Sequence, residues 1–472
     1  MESSDGSRFA ARTRLADENA SKKRTKCSDG VVNLVDRISS LPDSVLCWIL
    51  SFLPTTEAVA TSILSARWKI LWTGVTSFHF EDSERLFNVP YKESKKNERF
   101  VKFVNKVLLL NNVQSLDKFY LSCCRDYDAF YINTWVATAI ARNVRILDII
   151  ADYDTVELPN SIFTCKTLEF LQLSGNLLIK SPRFVCLPRL VTFNLIRVDE
   201  RSHESIGQIL SGCAVLEFMY IEQNVNLAAE VIKISSPTLK TLRLDFYPDC
   251  CVEDDWFRKL EINAPALEYL YLKDRTTESF SIEGLKALCE AEIDVYLYDP
   301  PESDYCNSVV KLFLALQHVK LLTLSSYTMQ VLGRATAHFS TKFDRLTTLV
   351  VKDVDRFTSL VVEPDWCERS CLPALLESSV NLEVLEVSTA GWMNPDGVPR
   401  CLLTSLKEIV VQELEGRKGE LAMISYFLKH GRVLEVVDLY SEVRLDIEKK
   451  FQLLQKISVF PRKSDTCEVE FH

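Results

Sequence analysis

The chain has 472 residues, 65 acidic against 55 basic, for a formal net charge of −10, a balance that argues against non-specific nucleic-acid binding, which needs basic surface to neutralise phosphates. Hydrophobic residues at 47% and charged residues at 25% are ordinary globular composition, while only 13 glycines make glycine-rich phosphate loops improbable, and neither GxxxxGK[ST] nor GxGxxG occurs. The length exceeds one ordinary core, so the chain must hold about three domains or one extended repeat array. No apolar run reaches the roughly eighteen residues of a membrane span. In chain order, residues 1–33 are rich in Ser, Asp, Arg and Lys and read as a flexible tail. Lys22-Lys23-Arg24-Thr25-Lys26 within it is a candidate nuclear-import patch or a plain solvated run.

Residues 36–72 read DRISSLPDSVLCWILSFLPTTEAVATSILSARWKILW. Pro42 suits a first helical turn, and Asp43 places negative charge at the positive end of the helix dipole. Val45, Leu46, Ile49, Leu50 and Leu53 recur at three- and four-residue spacing, and Pro54 blocks continuation, so a short amphipathic helix is predicted. Thr55 or Thr56 is expected to cap a second helix with Val59, Ile63 and Leu64 as its stripe, and Arg67, Trp68, Leu71 and Trp72 open a third segment. A unit of about forty residues is marginal as a lone core, so part of this apolar surface needs a partner or the rest of the chain to cover it.

This stretch closely resembles the plant F-box, through D-R-I-S, L-P-D, I-L-S-F-L-P-T, A-V, T-S, L-S, R-W and L-W as they stand between Asp36 and Trp72. It departs mildly at Ala66, where a basic residue is common, and at Cys47-Trp48, bulkier than the usual polar pair. The resemblance implies docking on a Skp-type adaptor and through it a cullin–RING ubiquitin ligase. The anchors it implies are Leu41, Pro42, Ile49, Leu50, Leu53, Val59, Leu64 and Trp68.

Beyond the F-box, L-x-x-L-x-L units recur from Val144, Leu168, Leu190, Leu216, Leu239, Leu267, Val319, Leu346 and Leu382, with weaker units at Leu116 and Ala291. The spacing, mostly 22 to 28 residues, is that of leucine-rich repeats, each giving one strand and a return segment, stacked into a parallel sheet. A doubly wound βα domain is the competing reading, but Pro237 and Pro265 just before their strands read as repeat punctuation. The fold class is therefore α/β: a leucine-rich-repeat solenoid with a small N-terminal three-helix F-box and an αβ cap. The absence of an asparagine after the third leucine predicts an uneven coil.

Alternation along a strand turns the leucines inward and the residue between the second and third toward the concave surface. Those residues are Gln172, Asn194, Tyr220, Arg243, Tyr271, Thr323, Val350 and Glu386. Tyr220, Arg243 and Tyr271 stand on consecutive repeats and are of the types enriched at binding hot spots, which makes them the candidate substrate-binding residues.

From Trp392 onward, VPRCLLTSLKEIVVQELEGRKGELAMISYFLKHGRVLEVVDLY and FPRKSDTCEVEF resemble the FBD region of plant F-box proteins. Leu406 to Val411 and Val433 to Leu439 read as strands, and Glu420 to Lys429 as a helix, which together extend and cap the solenoid. The organisation expected is a tail at 1–33, the F-box at 34–82, repeats at 110–390 and FBD at 391–472.

Fifteen scattered cysteines and a first thirty residues without an apolar signal core fit reduced thiols in the cytoplasm or nucleus. Cys123-Cys124, Cys250-Cys251 and Cys367/Cys371 lack zinc-site spacing, so no metal ligand and no cofactor is assigned. The six histidines are dispersed, neither HExxH nor GxSxG occurs, and His79 reads as a strand-edge residue, so no catalytic residue is assigned. The two functions left are a non-catalytic substrate receptor of a Skp–cullin–F-box ligase, with a protein client, and a leucine-rich-repeat scaffold acting outside a ligase. Neither nucleic acid nor membrane is expected as a partner.

Overall fold

A computed structural model describes residues 37–82, 95–225, 231–248, 259–296, 303–335, 341–352, 371–388, 392–442 and 445–472. The tail with its basic run, Cys250-Cys251 and Cys367 fall outside these residues. The chain divides into a short unit through Leu46 and a large one from Cys47 to His472. In the first unit, Leu41 N–H donates to the Ile38 carbonyl at 3.0 Å, closing a turn before the helix Asp43–Leu50 begins.

Among the described residues, the large unit is organised by one parallel sheet of fifteen strands, from Ser77–Glu81 to Glu468–Phe471. The strands of this sheet lie side by side in chain order, and three others, Val231–Ser235, Lys259–Asn263 and Ser279–Glu283, form a second parallel sheet. Such an order, with one strand added per repeat, is that of a solenoid. Alternation explains the burial: in Thr241–Pro248, Leu242, Leu244 and Phe246 are fully buried, whereas Thr241, Arg243 and Asp245 lie on the open face. The second sheet shows that three neighbouring return segments are strands, with Ile232, Ile234, Leu260 and Ile262 in the core.

A backbone ladder runs across the strand entrances. Glu169 N–H donates to Arg145 O at 2.8 Å, Val191 to Glu169 at 2.8 Å, Glu217 to Val191 at 3.0 Å, Lys240 to Glu217 at 2.9 Å and Glu268 to Lys240 at 2.8 Å. It continues through Cys289, Lys320, Thr347, Glu383, Lys407 and Glu435 to Glu468. Several rungs carry opposite charges, as where Arg145 grips Glu169 with two bonds of 3.1 and 2.9 Å. These pairs are exposed, so the backbone bonds contribute most of what the ladder adds.

One repeat departs from the regular step. Pairing between Ile146–Glu157 and Phe170–Leu178 shifts between Ala151 and Val156, and Gly175 sits opposite Ala151 with φ of 85°. A Cβ there would lie 2.3 Å from the Ala151 carbonyl oxygen, so the irregularity depends on glycine. Gly175→Ala is expected to cost about 2 kcal/mol or more, seen as a lower thermal midpoint. Gly397→Ala, where a Cβ meets nothing within 4 Å, should change it little; equal effects would refute the assignment.

Two helices not anticipated from the sequence, Lys95–Leu110 and Ala129–Ala141, serve the first repeats. Phe100, Val104, Val107 and Leu108 of the first and Ile132, Trp135, Val136 and Ala139 of the second are buried. At the other end the predicted strand, helix and strand are Glu408–Leu414, Lys418–His430 and Val436–Ser441. A helix Ile447–Ser458 and the strand Glu468–Phe471 follow, both unforeseen.

Glu420 holds the entry of the helix Lys418–His430. Its Oε2 accepts from the N–H groups of Glu415, Gly416 and Arg417 at 3.1, 2.7 and 3.0 Å. Burial nonetheless pushes the Glu420 carboxyl up, outweighing those three bonds. With its folded pKa raised, protonation favours the folded state, so the carboxyl's contribution is fullest below the usual carboxylate range and falls as pH rises through the folded value. Glu420→Ala should destabilise this end by about 2–3 kcal/mol, accelerating amide exchange at Gly416 and Arg417 on the order of 30-fold or more. Glu420→Gln, which keeps the acceptor oxygen, should restore most of the protection, and an Ala variant as well protected as wild type would refute the role.

Candidate functional site

The first candidate surface lies within residues 47–72. Helix Asp43–Leu50 ends four residues before Pro54, and Thr55–Ala60 follows it. The expected threonine cap is absent: Pro54 is the N-cap, and Thr55 Oγ1 instead accepts from His79 N–H at 2.8 Å. The hydroxyl is thus used to tie this helix to the first strand of the sheet. Trp68–Leu71 continues into a 3-10 turn, Trp72–Gly74, and Asn111 Nδ2 donates to the Thr73 and Val75 carbonyls at 2.9 Å each. Leu71, Trp72, Val75 and Phe78 are buried, which makes residues 47–82 continuous with the repeats.

Burial divides the eight expected anchors. Pro42, Ile49 and Leu64 are exposed, and Leu41, Leu53 and Val59 are half-buried. Leu50 at 1% and Trp68 at 9% exposure are packed within this chain's own fold and offer little surface. Large apolar groups that stand in solvent were missed instead: Trp48, Phe52 at 70%, Ile63 at 87%, and Ile70. Trp48 and Phe52 meet edge to face at 4.9 Å. Their signal was present, since a short helix that is apolar nearly all round needs cover on both sides.

The second surface is the open face of the large sheet. Gln172, Asn194, Tyr220, Arg243, Tyr271, Thr323, Val350 and Glu386 fall in one register row, joined between Tyr271 and Thr323 by Glu292. Thr323 and Val350 are buried, so the row is not open along its whole length. Tyr220, Arg243 and Tyr271 are neighbours as predicted, with the Arg243 guanidinium 4.5 Å from the Tyr271 ring centre. Phe218 and Tyr269 stand two residues before the tyrosines, on either side of Thr241.

Charged groups surround this aromatic patch. Glu222 accepts from Tyr220 Oη at 2.8 Å and Tyr247 Oη at 3.3 Å and pairs with Arg197 at 3.2 Å. Lys273 lies 3.8 Å from Asp245, Arg275 4.0 Å from Asp294, and Lys352 3.7 Å from Glu292. Burial, then the nearby Asp245, pushes the Tyr271 hydroxyl up to about 12, and burial with the Glu222 hydrogen bond raises Tyr220. Both therefore stay neutral donors at physiological pH.

The comparisons with known proteins fit this architecture. The F-box domain model matches residues 38–80, a model of the leucine-rich repeats of FBD-associated F-box protein At5g56370 matches 132–287, and the FBD model matches 394–439. F-box/LRR-repeat protein 13 of Arabidopsis thaliana is 30% identical over 478 residues, covering 96% of this chain and 99% of that protein. The chain belongs to the F-box/FBD/LRR-repeat family. F-box/FBD/LRR-repeat protein At1g78750 of the same plant is 28% identical over 476 residues, with 96% of this chain and 99% of that protein covered. As an F-box/FBD/LRR-repeat protein, the chain carries its two candidate surfaces in different parts: Trp48 to Ile70 lie in the F-box match, and Tyr220 to Tyr271 in the repeat match.

Elsewhere in this family member, His79 is on the first strand of the sheet, its ring stacked 4.2 Å from Tyr120. Among the described residues, Asp438, Glu470 and His472 bring one ligand-type atom each within 4.8 Å of one another. His472 Nε2 lies 3.5 Å from an Asp438 oxygen and 3.6 Å from a Glu470 oxygen, and its ring stacks on Tyr440. No helix among the described residues is long and apolar enough to cross a membrane.

Proposed function

We propose that this protein is a substrate-recognition subunit of a Skp–cullin–F-box ubiquitin ligase, acting in protein ubiquitination and turnover. The observation that carries the reading is the F-box match over 38–80 combined with Trp48, Phe52, Ile63, Leu64 and Ile70 standing uncovered within it. F-box domains generally bind Skp-type adaptors, and uncovered apolar side chains of this size mark interaction surfaces. Ile49 and the half-buried Leu53 and Val59 belong to the same proposed contact, and the exposed Pro42 and half-buried Leu41 are further proposed adaptor anchors. The open face at Tyr220, Arg243 and Tyr271 would receive a protein client.

F-box/LRR proteins are generally non-catalytic adaptors, and in this reading the chain contributes proximity and orientation, holding the client near the loaded conjugating enzyme while the bond chemistry happens elsewhere. The reading places it in the cytoplasm or nucleus, in keeping with its free cysteines, such as buried Cys371 and exposed Cys124. Co-isolation of a Skp-type adaptor and a cullin with the purified full chain tests the proposal. Capture of both supports the ligase role; no capture by a folded protein would leave a repeat scaffold working outside a ligase.

A further inference from the structure

We propose that Arg243 is the receptor for a carboxylate on the bound protein, an Asp or Glu side chain presented beside an aromatic or large apolar residue. This deepens, and rests on, the reading that the open face takes the client. The argument is a balance of charges on three neighbouring strands and the next repeats. Four described carboxylates around Arg243 already have partners: Glu222 has Arg197 and two tyrosine hydroxyls, Asp245 has Lys273, Glu292 has Lys352 and Asp294 has Arg275. Among the described residues, Arg243 is the cation of this patch for which no carboxylate stands within ion-pair distance. It is exposed, and among the described residues its contact is the face of Tyr271, 4.5 Å away.

A cation–π contact with the ring restrains the guanidinium without consuming its N–H donors, and Arg243 is exposed, so those donors are open to a ligand. The guanidinium fork matches a planar carboxylate with two parallel bonds. A phosphate fits less well, because Glu222 and Asp245 sit on this and the adjoining strand and would repel a second negative charge, and no further unpaired cation adjoins Arg243 among the described residues. The apolar requirement comes from the register. Thr241 lies between Phe218 and Tyr269, two residues along the strand from Arg243, so a small side chain sits between two aromatic ones. A client residue about two positions from the carboxylate would fill that notch.

The experiment is a selection of random decapeptides on the immobilised full chain, run in parallel on Arg243→Gln and Arg243→Glu, with all three proteins matched by circular dichroism. Wild type should enrich Asp or Glu at a fixed offset from an aromatic or large apolar residue. Arg243→Gln should weaken the selected acidic peptides about tenfold while their Asn or Gln counterparts bind equally to both, and Arg243→Glu should favour Lys or Arg at the same position. Peptides that bind and are lost on Tyr220→Ala plus Tyr271→Ala, yet show no acidic preference, would overturn the carboxylate assignment and leave the open face as the client site. Phosphoserine peptides binding better than their Asp counterparts would overturn it in favour of phosphate. A wild-type chain that selects no peptide would overturn both the assignment and the reading beneath it.

Discussion

Trp135→Ala is expected to destabilise the first repeats by about 3–5 kcal/mol, the range for emptying a large aromatic site in a core. Trp135 is almost fully buried, and its ring meets Phe100 edge to face at 5.9 Å, Tyr127 at 6.5 Å and Tyr131 at 6.1 Å. Its indole N–H donates to Asn105 Oδ1 at 2.7 Å, locking the helix Ala129–Ala141 onto Lys95–Leu110. Truncation therefore removes the packing and the interhelical bond together. Urea titration followed by circular dichroism should show an early transition in the variant, and Trp135→Phe should recover part of the loss. Phe130→Ala, on the exposed side of the same helix, should shift the curve by no more than about 0.5 kcal/mol. If the two alanine variants unfold alike, the packing described for this helix pair is wrong.

Trp48→Asp combined with Phe52→Asp is expected to reduce adaptor binding 100-fold or more, roughly 3 kcal/mol, as for the loss of a central aromatic hot spot. Both side chains are exposed and in contact with one another, so their replacement should leave the fold intact. Leu50→Asp would also abolish binding, but by unfolding the segment, because Leu50 is buried. Titration calorimetry against a Skp-type adaptor, with circular dichroism on each variant, separates the two mechanisms. A double variant that binds as tightly as wild type would remove this face from the proposed contact.

The repeats were legible because every L-x-x-L-x-L unit declares both its strand and its inward face, and the row through Tyr220, Arg243 and Tyr271 follows from alternation alone. Helix Lys95–Leu110 could have been found in the same way, since Phe100, Val104, Val107 and Leu108 keep helical spacing. It lies between the F-box and the first repeat, where no motif marks it. Within the F-box, spacing identified which residues are apolar but not which of them this chain covers. Leu50 and Ile49 are adjacent and equally apolar, yet one is buried and the other exposed, a difference that spacing alone does not carry. Charge pairing on the open face was hidden for a related reason. Arg243 and Lys273 look alike in the sequence, and only the position of Asp245 makes one of them spoken for.

The parallel register has a consequence for how the chain reaches its native state. Phe218 pairs with Thr241 and Thr241 with Tyr269, so the partner of each strand lies one repeat away and the loop to be closed stays short from one end of the sheet to the other. Once the first strands and their covering helices have formed, each repeat leaving the ribosome finds a finished edge to dock on and presents the next. Synthesis and folding can thus advance in step, with the vulnerable species always a single growing edge.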